Sequence, residues 1–150
     1  MGSDNILGFD YGEKTIGVAV GNSASGQAHP LANVRVIRGQ PEWEKISSLI
    51  DEWRPAALVV GLPLNMDGSE NPVTPKARKF GNRLNGRYNL PVHMVDERLT
   101  TRDARTELYN AGVTERRHKP VLDKLAAQSI LQTFLTEHKK QQPGSELESD

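Results

Sequence analysis

Residues 6–19 read ILGFDYGEKTIGVA. Residues 6–10 and 15–21 are short runs rich in apolar and β-branched residues, and the four residues between them include a glycine, which is typical of a hairpin turn. Asp10 closes the first run and opens the turn. The pattern predicts a β-hairpin whose first strand ends on a carboxylate. It also leaves open that this Asp accepts only backbone hydrogen bonds within the turn.

The remaining segments alternate between strand and helix patterns. Residues 32–37 suggest a third strand. Pro41 suits the first position of a helix that Pro55 ends. Residues 56–61 form a continuous apolar run, as in a buried parallel strand, and residues 62–74 form a loop. Thr74 predicts a helix cap, residues 92–95 a strand, Thr101 a second cap, and residues 122–134 the last helix. The order β-β-β-α-β-α-β-α-α predicts an α/β domain with a mixed five-stranded sheet flanked by helices on both faces.

Composition narrows the class of protein. The 150 residues fit one domain, with 36% hydrophobic and 25% charged residues. No apolar run approaches the roughly 20 residues of a membrane span, and the first residues lack a signal-peptide pattern. Cysteine is absent, which excludes thiol catalysis and cysteine-ligated metals. We expect a cytoplasmic protein with a folded domain over residues 1–140 and a disordered acidic tail over residues 141–150.

Three carboxylates stand at element ends. Asp10 and Glu97 each close a predicted strand, and Asp123 lies in the predicted first turn of the last helix. Because sites in open α/β sheets form outside the carboxyl ends of parallel strands, we expect these acids to converge. Oxygen ligands of this kind suit a hard divalent cation and phosphoryl transfer. Three simpler interpretations stay open: Asp123 can form a salt bridge with Lys119, Asp96 or Glu97 can be a turn or cap residue, and Arg98 can be an ion-pair partner instead of a phosphate contact.

The net charge of +0 hides basic clusters. Residues 76–88 contain five cations and no acid, and further cations surround Glu97 and Asp123. Basic clusters beside carboxylates suit a polyanion held near a metal. Solvated helix faces explain the charges equally well. The cations of the first cluster are Lys76, Arg78, Lys79, Arg83 and Arg87.

Four segments together resemble the YqgF/RuvX family. They are Leu7–Ala19, Val60–Pro63 with Asp67-Gly68, Asp96–Thr101, and Lys119-x-x-x-Asp123-x-x-Ala126-Ala127. They stand in order at compatible spacing from residue 6 to residue 138. The resemblance implies an RNase H-like fold close to the Holliday junction resolvases and a nuclease acting in maturation of the 5′ end of pre-16S rRNA.

The resemblance also implies a metal site. Asp10, Glu97 and Asp123 are the expected catalytic residues and ligands of Mg²⁺ or Mn²⁺, with Asp10 bridging two ions. Many RNase H-like nucleases carry a fourth carboxylate near the last one, where this chain has Ala126 and Ala127. Water or substrate phosphate would then complete the second ion. The expected substrate-binding residues are Lys14, Arg98, Thr100, Thr101, Lys119 and Lys124.

The expected partner is nucleic acid: structured RNA, branched DNA or a precursor of the small ribosomal subunit. Three alternatives to rRNA cleavage stay open. The chain could resolve Holliday junctions or other branched DNA, or bind RNA or the ribosome without cutting. The Asp-x-Gly turn also resembles the phosphate loop of actin-like ATPases, which use two such domains. Nothing in the sequence separates a monomer from a homodimer.

Overall fold

The computed structural model describes residues 4–99 and 119–140. The chain begins with strands, and one helix precedes and another follows the strand Ala57–Leu62. The last described element is a long helix. The elements are β1 (Asn5–Asp10), β2 (Thr15–Asn22), β3 (Gln27–Ile37), β4 (Gln40–Pro41), α1 (Trp43–Trp53), β5 (Ala57–Leu62), α2 (Thr74–Tyr88), β6 (Val92–Asp96), a 3-10 turn (Glu97–Leu99) and α3 (Lys119–Lys140).

The strands form one mixed sheet in the order β4-β3-β2-β1-β5-β6. Strands β1 to β4 pair antiparallel in succession, whereas β5 pairs parallel with both β1 and β6. The parallel strands β1, β5 and β6 therefore end at the same edge of the sheet, with Asp10 at the end of β1. This arrangement confirms the predicted α/β class with a mixed sheet.

The sheet has six strands instead of the predicted five. The extra strand is β4, in which Gln40 and Pro41 pair with the end of β3. The prediction that Pro41 begins a helix is wrong, because a hairpin with Arg38 at φ 53° and Gly39 at φ 77° turns this proline onto the sheet edge. An edge strand tolerates proline, since the missing N–H need not join the ladder. Helix α1 begins two residues later, at Trp43.

Helices cover both faces, as predicted, and each face has its own apolar core. On one face, α1 and α2 bury Ile46, Phe80 and Leu84 against Leu7 and Phe9 of β1. On the other face, α3 packs on the sheet; the second core contains Ile6, Val59, Val95, Ala127, Ile130, Leu131 and Leu135. Because side chains alternate across a strand, Asp10 shares the α3 face with Ile6.

Polar contacts fix where α3 lies on the sheet. Gln128 Nε2 donates to the carbonyl oxygen of Ala28 at 2.9 Å. Gln132 accepts from the Ala28 amide at 3.0 Å and donates to the carbonyl of Gly26 at 2.8 Å. The two glutamine side chains thus hydrogen-bond to backbone groups at the start of β3. They set the register of the helix over the strands.

Helix α2 begins differently from the prediction. Thr74 is its first residue and does not cap it. The side chain of Asn71 accepts from the amides of Val73 and Thr74 at 2.9 and 3.2 Å. The fully buried Thr74 hydroxyl instead donates to the carbonyl of Pro63 and accepts from the amide of Asn71. Thr74 thus connects α2 to the end of the β5 segment.

Some predictions fall on residues that the structure does not describe. The helix expected after Thr101 and the tail over residues 141–150 lie outside the described ranges. Within residues 4–99 and 119–140, no helix has the length and apolar character needed to cross a membrane.

Candidate active site

One pocket brings the three predicted carboxylates together. It has a volume of about 400 Å³ and opens at the edge of the sheet where β1 and β6 end. Its walls come from the β1–β2 hairpin, the loop after β5, the turn after β6, and α3. The lining residues are Asp10, Tyr11, Gly12, Glu13, Lys14, Thr15, Pro63, Glu97 and Asp123.

The position of Glu97 follows from the alternation of strand β6. Val95 lies in the core under α3, so Glu97, two residues later, continues on that face. Asp96 faces the other way and is held by Arg98, whose Nη2 and Nε lie 2.7 and 3.1 Å from Asp96 Oδ2. The sequence could not tell which of the two acids shares a face with Asp10; the strand geometry selects Glu97.

Arg98 forms the ion pair that the sequence leaves open for it. Its guanidinium forms a salt bridge with Asp96 and donates to the carbonyl oxygen of Met66 at 3.3 Å. The hydrogen bond to Arg98 lowers the pKa of Asp96, and the same bond raises the pKa of Arg98. Arg98 does not line the carboxylate pocket; it connects the turn after β6 to the loop after β5.

Asp123 reaches the pocket because α3 lies almost in contact with β2. Gly17 pairs with Asp10 across the hairpin. A Cβ at Gly17 would lie 2.1 Å from the carbonyl oxygen of Asp123, far inside ordinary contact distance. The space beside Gly17 is therefore filled by the backbone of α3. Asp123 is 9% exposed and is the fifth residue of the helix, one turn later than predicted.

A second glycine makes room for Glu97. A Cβ at Gly61, near the end of β5, would lie 2.8 Å from Glu97 Oε2 and 2.5 Å from Ile130 Cδ1. Gly61 pairs with Val95 of β6, so the neighbouring strand carries Glu97 past this position. The absence of a side chain at Gly61 therefore lets Glu97 lie over β5. Both glycines contribute to the site because their lack of a side chain lets another group approach: the Asp123 backbone at Gly17 and the Glu97 side chain at Gly61.

The donor chemistry of the pocket suits a hard cation. Three carboxylates supply only oxygen ligands, as Mg²⁺ and Mn²⁺ prefer. Among the described residues, however, no three His, Cys, Asp or Glu side chains are gathered closely enough to hold an ion together. The three acids therefore line one pocket without forming a closed ligand set.

The predicted substrate-binding residues divide into three groups. Lys14 lines the carboxylate pocket and is exposed. Lys124 is half-buried beside Asp123, and Lys119 is the first residue of α3. Thr100 and Thr101 lie outside the described residues.

Two contributors were absent from the predicted site. Pro63 lines the pocket, and the buried Thr74 hydroxyl holds its carbonyl group. Pro63 stands in a segment singled out from the sequence, but nothing there showed that Thr74 would bond to it. That contact spans 11 residues and exists only when α2 packs beside β5.

Comparison with known proteins identifies relatives over nearly the whole chain. The family model described as "RuvX: Holliday junction resolvase" matches residues 4–137. A protein of Aeromonas salmonicida named as a proposed pre-16S rRNA nuclease is 50% identical over 137 residues, which cover 91% of this chain and 98% of that protein. A protein of Pseudomonas aeruginosa with the same name is 50% identical over 133 residues, covering 89% and 92%. Among solved structures, Thermus thermophilus RuvC in complex with a Holliday junction substrate superposes with a TM-score of 0.54 at 17% identity, covering 91% of this chain and 96% of that one. The last comparison concerns the fold.

Proposed function

The chain belongs to the RuvX family of Holliday junction resolvases, and from this premise we propose that it is a metal-dependent nuclease acting in 5′-end maturation of pre-16S rRNA. Its relatives at 50% identity carry that activity in their names. The observation that carries the proposal is the convergence of Asp10, Glu97 and Asp123, from three separate elements, on one open pocket. Because pre-16S rRNA is a cytoplasmic nucleic acid in this proposal, we place the enzyme in the cytoplasm and expect nucleic acid as its partner.

Within this proposal, Asp10, Glu97 and Asp123 would be drawn together around one or two ions of Mg²⁺ or Mn²⁺, since as placed they share the pocket without forming a closed ligand set. When bound, such an ion supplies an activated water nucleophile and neutralises the charge that develops on the phosphate. The four carboxylates that line this pocket repel a phosphodiester, so the chain needs both the cation and nearby basic groups to admit its substrate. Lys14, on the rim, and Lys124, beside Asp123, are placed to contact phosphate oxygens.

The rigid elements around the pocket orient the acids. Asp10 is fixed by strand pairing with Gly17, and Asp123 by the helix that lies against the same glycine. Arg98, expected as a phosphate contact, also has a positioning role. It neutralises Asp96, the acid next to Glu97, and ties that turn to the loop that carries Pro63.

The description of the family model favours a second candidate, resolution of four-way DNA junctions. Both substrates present a phosphodiester to the same acids, so one experiment tests them side by side. A labelled 5′-extended 16S rRNA precursor and a labelled four-way DNA junction are incubated with the protein in Mg²⁺, in Mn²⁺ and in EDTA. The preferred substrate assigns the pathway.

The decisive variant is Asp10→Asn, with Asp51→Asn as its matched control. Asp51 is an exposed carboxylate of α1, distant from the pocket lining. We expect metal-dependent cleavage by the wild type and by Asp51→Asn, and loss of cleavage in Asp10→Asn with an unchanged melting temperature. Cleavage retained in Asp10→Asn would contradict the proposed ligand set. Binding of RNA without cleavage under every metal condition would replace the nuclease with a binding module.

A further inference from the structure

A second pocket adjoins the carboxylate pocket on the other side of the β1–β2 turn. It has a volume of about 380 Å³ and shares two wall residues, Tyr11 and Glu13, with the acidic one. Its remaining walls come from helix α2 and from the β3–β4 hairpin. The other lining residues are Gly39, Gln40, Pro41, Lys76, Lys79, Phe80 and Arg83.

The two pockets have opposite charge. The acidic pocket is lined by four carboxylates and one lysine. The second pocket is lined by three cations, Lys76, Lys79 and Arg83, against one carboxylate, Glu13. That carboxylate forms a salt bridge with Lys76, whose pKa it raises through the hydrogen bond. Lys79 and Arg83 therefore give the second pocket a net positive charge.

The cations of this pocket lie along one face of α2. Lys76, Lys79, Arg83 and Arg87 follow at spacings of three, four and four residues, and no acid interrupts residues 76–88. Like charges at these spacings destabilise a helix. A helix face selected for stability alone would alternate the signs, so the uninterrupted row favours an anionic ligand over a merely solvated surface.

Local contacts preorganise two of these cations. The guanidinium of Arg87 lies 4.0 Å from the ring centroid of Trp43, and that of Arg83 lies 5.2 Å from it. Arg83 also donates to the neutral side chain of Gln40 at 3.0 Å. These contacts restrict the side chains without neutralising them. Because both arginines keep their charge, the surface suits a phosphate backbone.

We propose that this basic pocket, through Lys79 and Arg83, binds the phosphodiester backbone of the substrate strand beside the scissile phosphate. The inference rests on the proposed nuclease function and deepens it. The acidic pocket repels nucleic acid until cations neutralise it, so much of the affinity has to come from outside it. A backbone leaving the acidic pocket across Tyr11 and Glu13 enters the basic one directly. The recognition is by charge and is independent of base sequence.

The test compares two double variants that lose the same charge. Lys79→Gln/Arg83→Gln removes the two cations of the pocket. Lys45→Gln/Arg54→Gln removes two exposed cations of α1 and its end, which line neither pocket. Both pairs are placed in the Asp10→Asn background, so that the substrate stays intact. Thermal unfolding verifies that each variant folds. If Lys79→Gln/Arg83→Gln does not fold, the single variant Lys79→Gln replaces it.

Binding is measured in EDTA as a function of salt, with the 5′-extended rRNA precursor and with the four-way DNA junction. Each phosphate contact contributes about 0.7 (single strand) to 0.9 (duplex DNA) to the slope of log K against log salt. Loss of two contacts should reduce the magnitude of this negative slope by about 1.4–1.8, which corresponds to about 25- to 60-fold weaker binding at 0.1 M salt. Lys79→Gln alone should lower it by half as much. The α1 pair should bind like its parent, and the substrate bound more tightly identifies the source of the backbone.

The outcomes separate this inference from the proposed function. If the wild type cleaves neither substrate but the pocket pair still weakens binding, the nuclease proposal fails and the binding surface stands. If the wild type cleaves but the pocket pair keeps its affinity and salt slope, the binding surface is wrong. Equal losses in both double variants would show a nonspecific charge effect and would also overturn it. Failure of the parent protein to bind either nucleic acid has the same consequence.

Discussion

Replacement of Gly17 by alanine tests the close approach that delivers Asp123 to the pocket. The added Cβ would lie 2.1 Å from the Asp123 carbonyl oxygen and 2.6 Å from the carbonyl carbon, whereas ordinary contact begins near 3.4 Å. The obstructing atoms belong to the helix backbone, so no side-chain rotation can relieve the overlap. Strand β2 and helix α3 must therefore separate locally by about 1 Å.

This separation should lower both stability and activity. Overpacking of a core typically costs about 1–3 kcal/mol, which for a chain of this size lowers the melting temperature by about 3–10 °C. The same movement displaces Asp123 from Asp10. Since a misplacement of about 1 Å can cost about 100-fold in rate, cleavage should fall by a factor of that order. Cleavage is measured at a temperature at which both proteins are fully folded.

The matched control is Gly86→Ala in helix α2. A Cβ at Gly86 would meet no atom within 4 Å. Alanine in a helix interior should stabilise the protein by about 0.5–1 kcal/mol and leave cleavage unchanged. A Gly17→Ala protein with the melting temperature and cleavage rate of the wild type would refute the argument that this glycine sets the position of α3.

Three further variants test the surroundings of the pocket. Gly61→Ala should reduce cleavage with little change in melting temperature, because its Cβ would meet the movable ends of the Glu97 and Ile130 side chains; a drop in melting temperature as large as that of Gly17→Ala would contradict this. Thr74→Val should cost about 1–3 kcal/mol in chemical denaturation and Thr74→Ser much less, because valine leaves two partly buried backbone groups without the threonine hydroxyl; equal losses would show that the hydroxyl is unimportant. Arg98→Gln should lower the stability only slightly at pH 7, since its ion pair is partly exposed. The lowered pKa of Asp96 means that the pair stabilises the fold above the unfolded-state pKa of aspartate, near 4, and stops doing so as the pH falls through the lower folded-state value. The melting temperature of Arg98→Gln should therefore fall less than that of the wild type between pH 7 and pH 3, and an identical fall would refute the assignment.

Local pattern was sufficient for most of the fold. The alternation and hairpin turn of residues 6–21 predict β1 and β2, and the apolar run before Gly61 predicts β5, because strand periodicity is a property of neighbouring residues. Pro41 and Thr74 were misassigned for one common reason. Proline is compatible with a helix start and with a sheet edge, and threonine with a cap and with a buried hydrogen bond. The β3–β4 hairpin decided the role of Pro41, and the contact with Pro63 decided that of Thr74.

The candidate site shows the same division. The sequence by itself determined which acids stand at element ends, and the parallel order of β1, β5 and β6 brings two such ends to one edge of the sheet. Only the tertiary structure decided that Glu97 and not Asp96 faces Asp10, and that Gly17 admits the backbone of α3. These contacts join residues of different elements across the sheet. They depend on how closely a helix and a strand can approach, a distance set by packing in three dimensions and not by the order of residues along the chain.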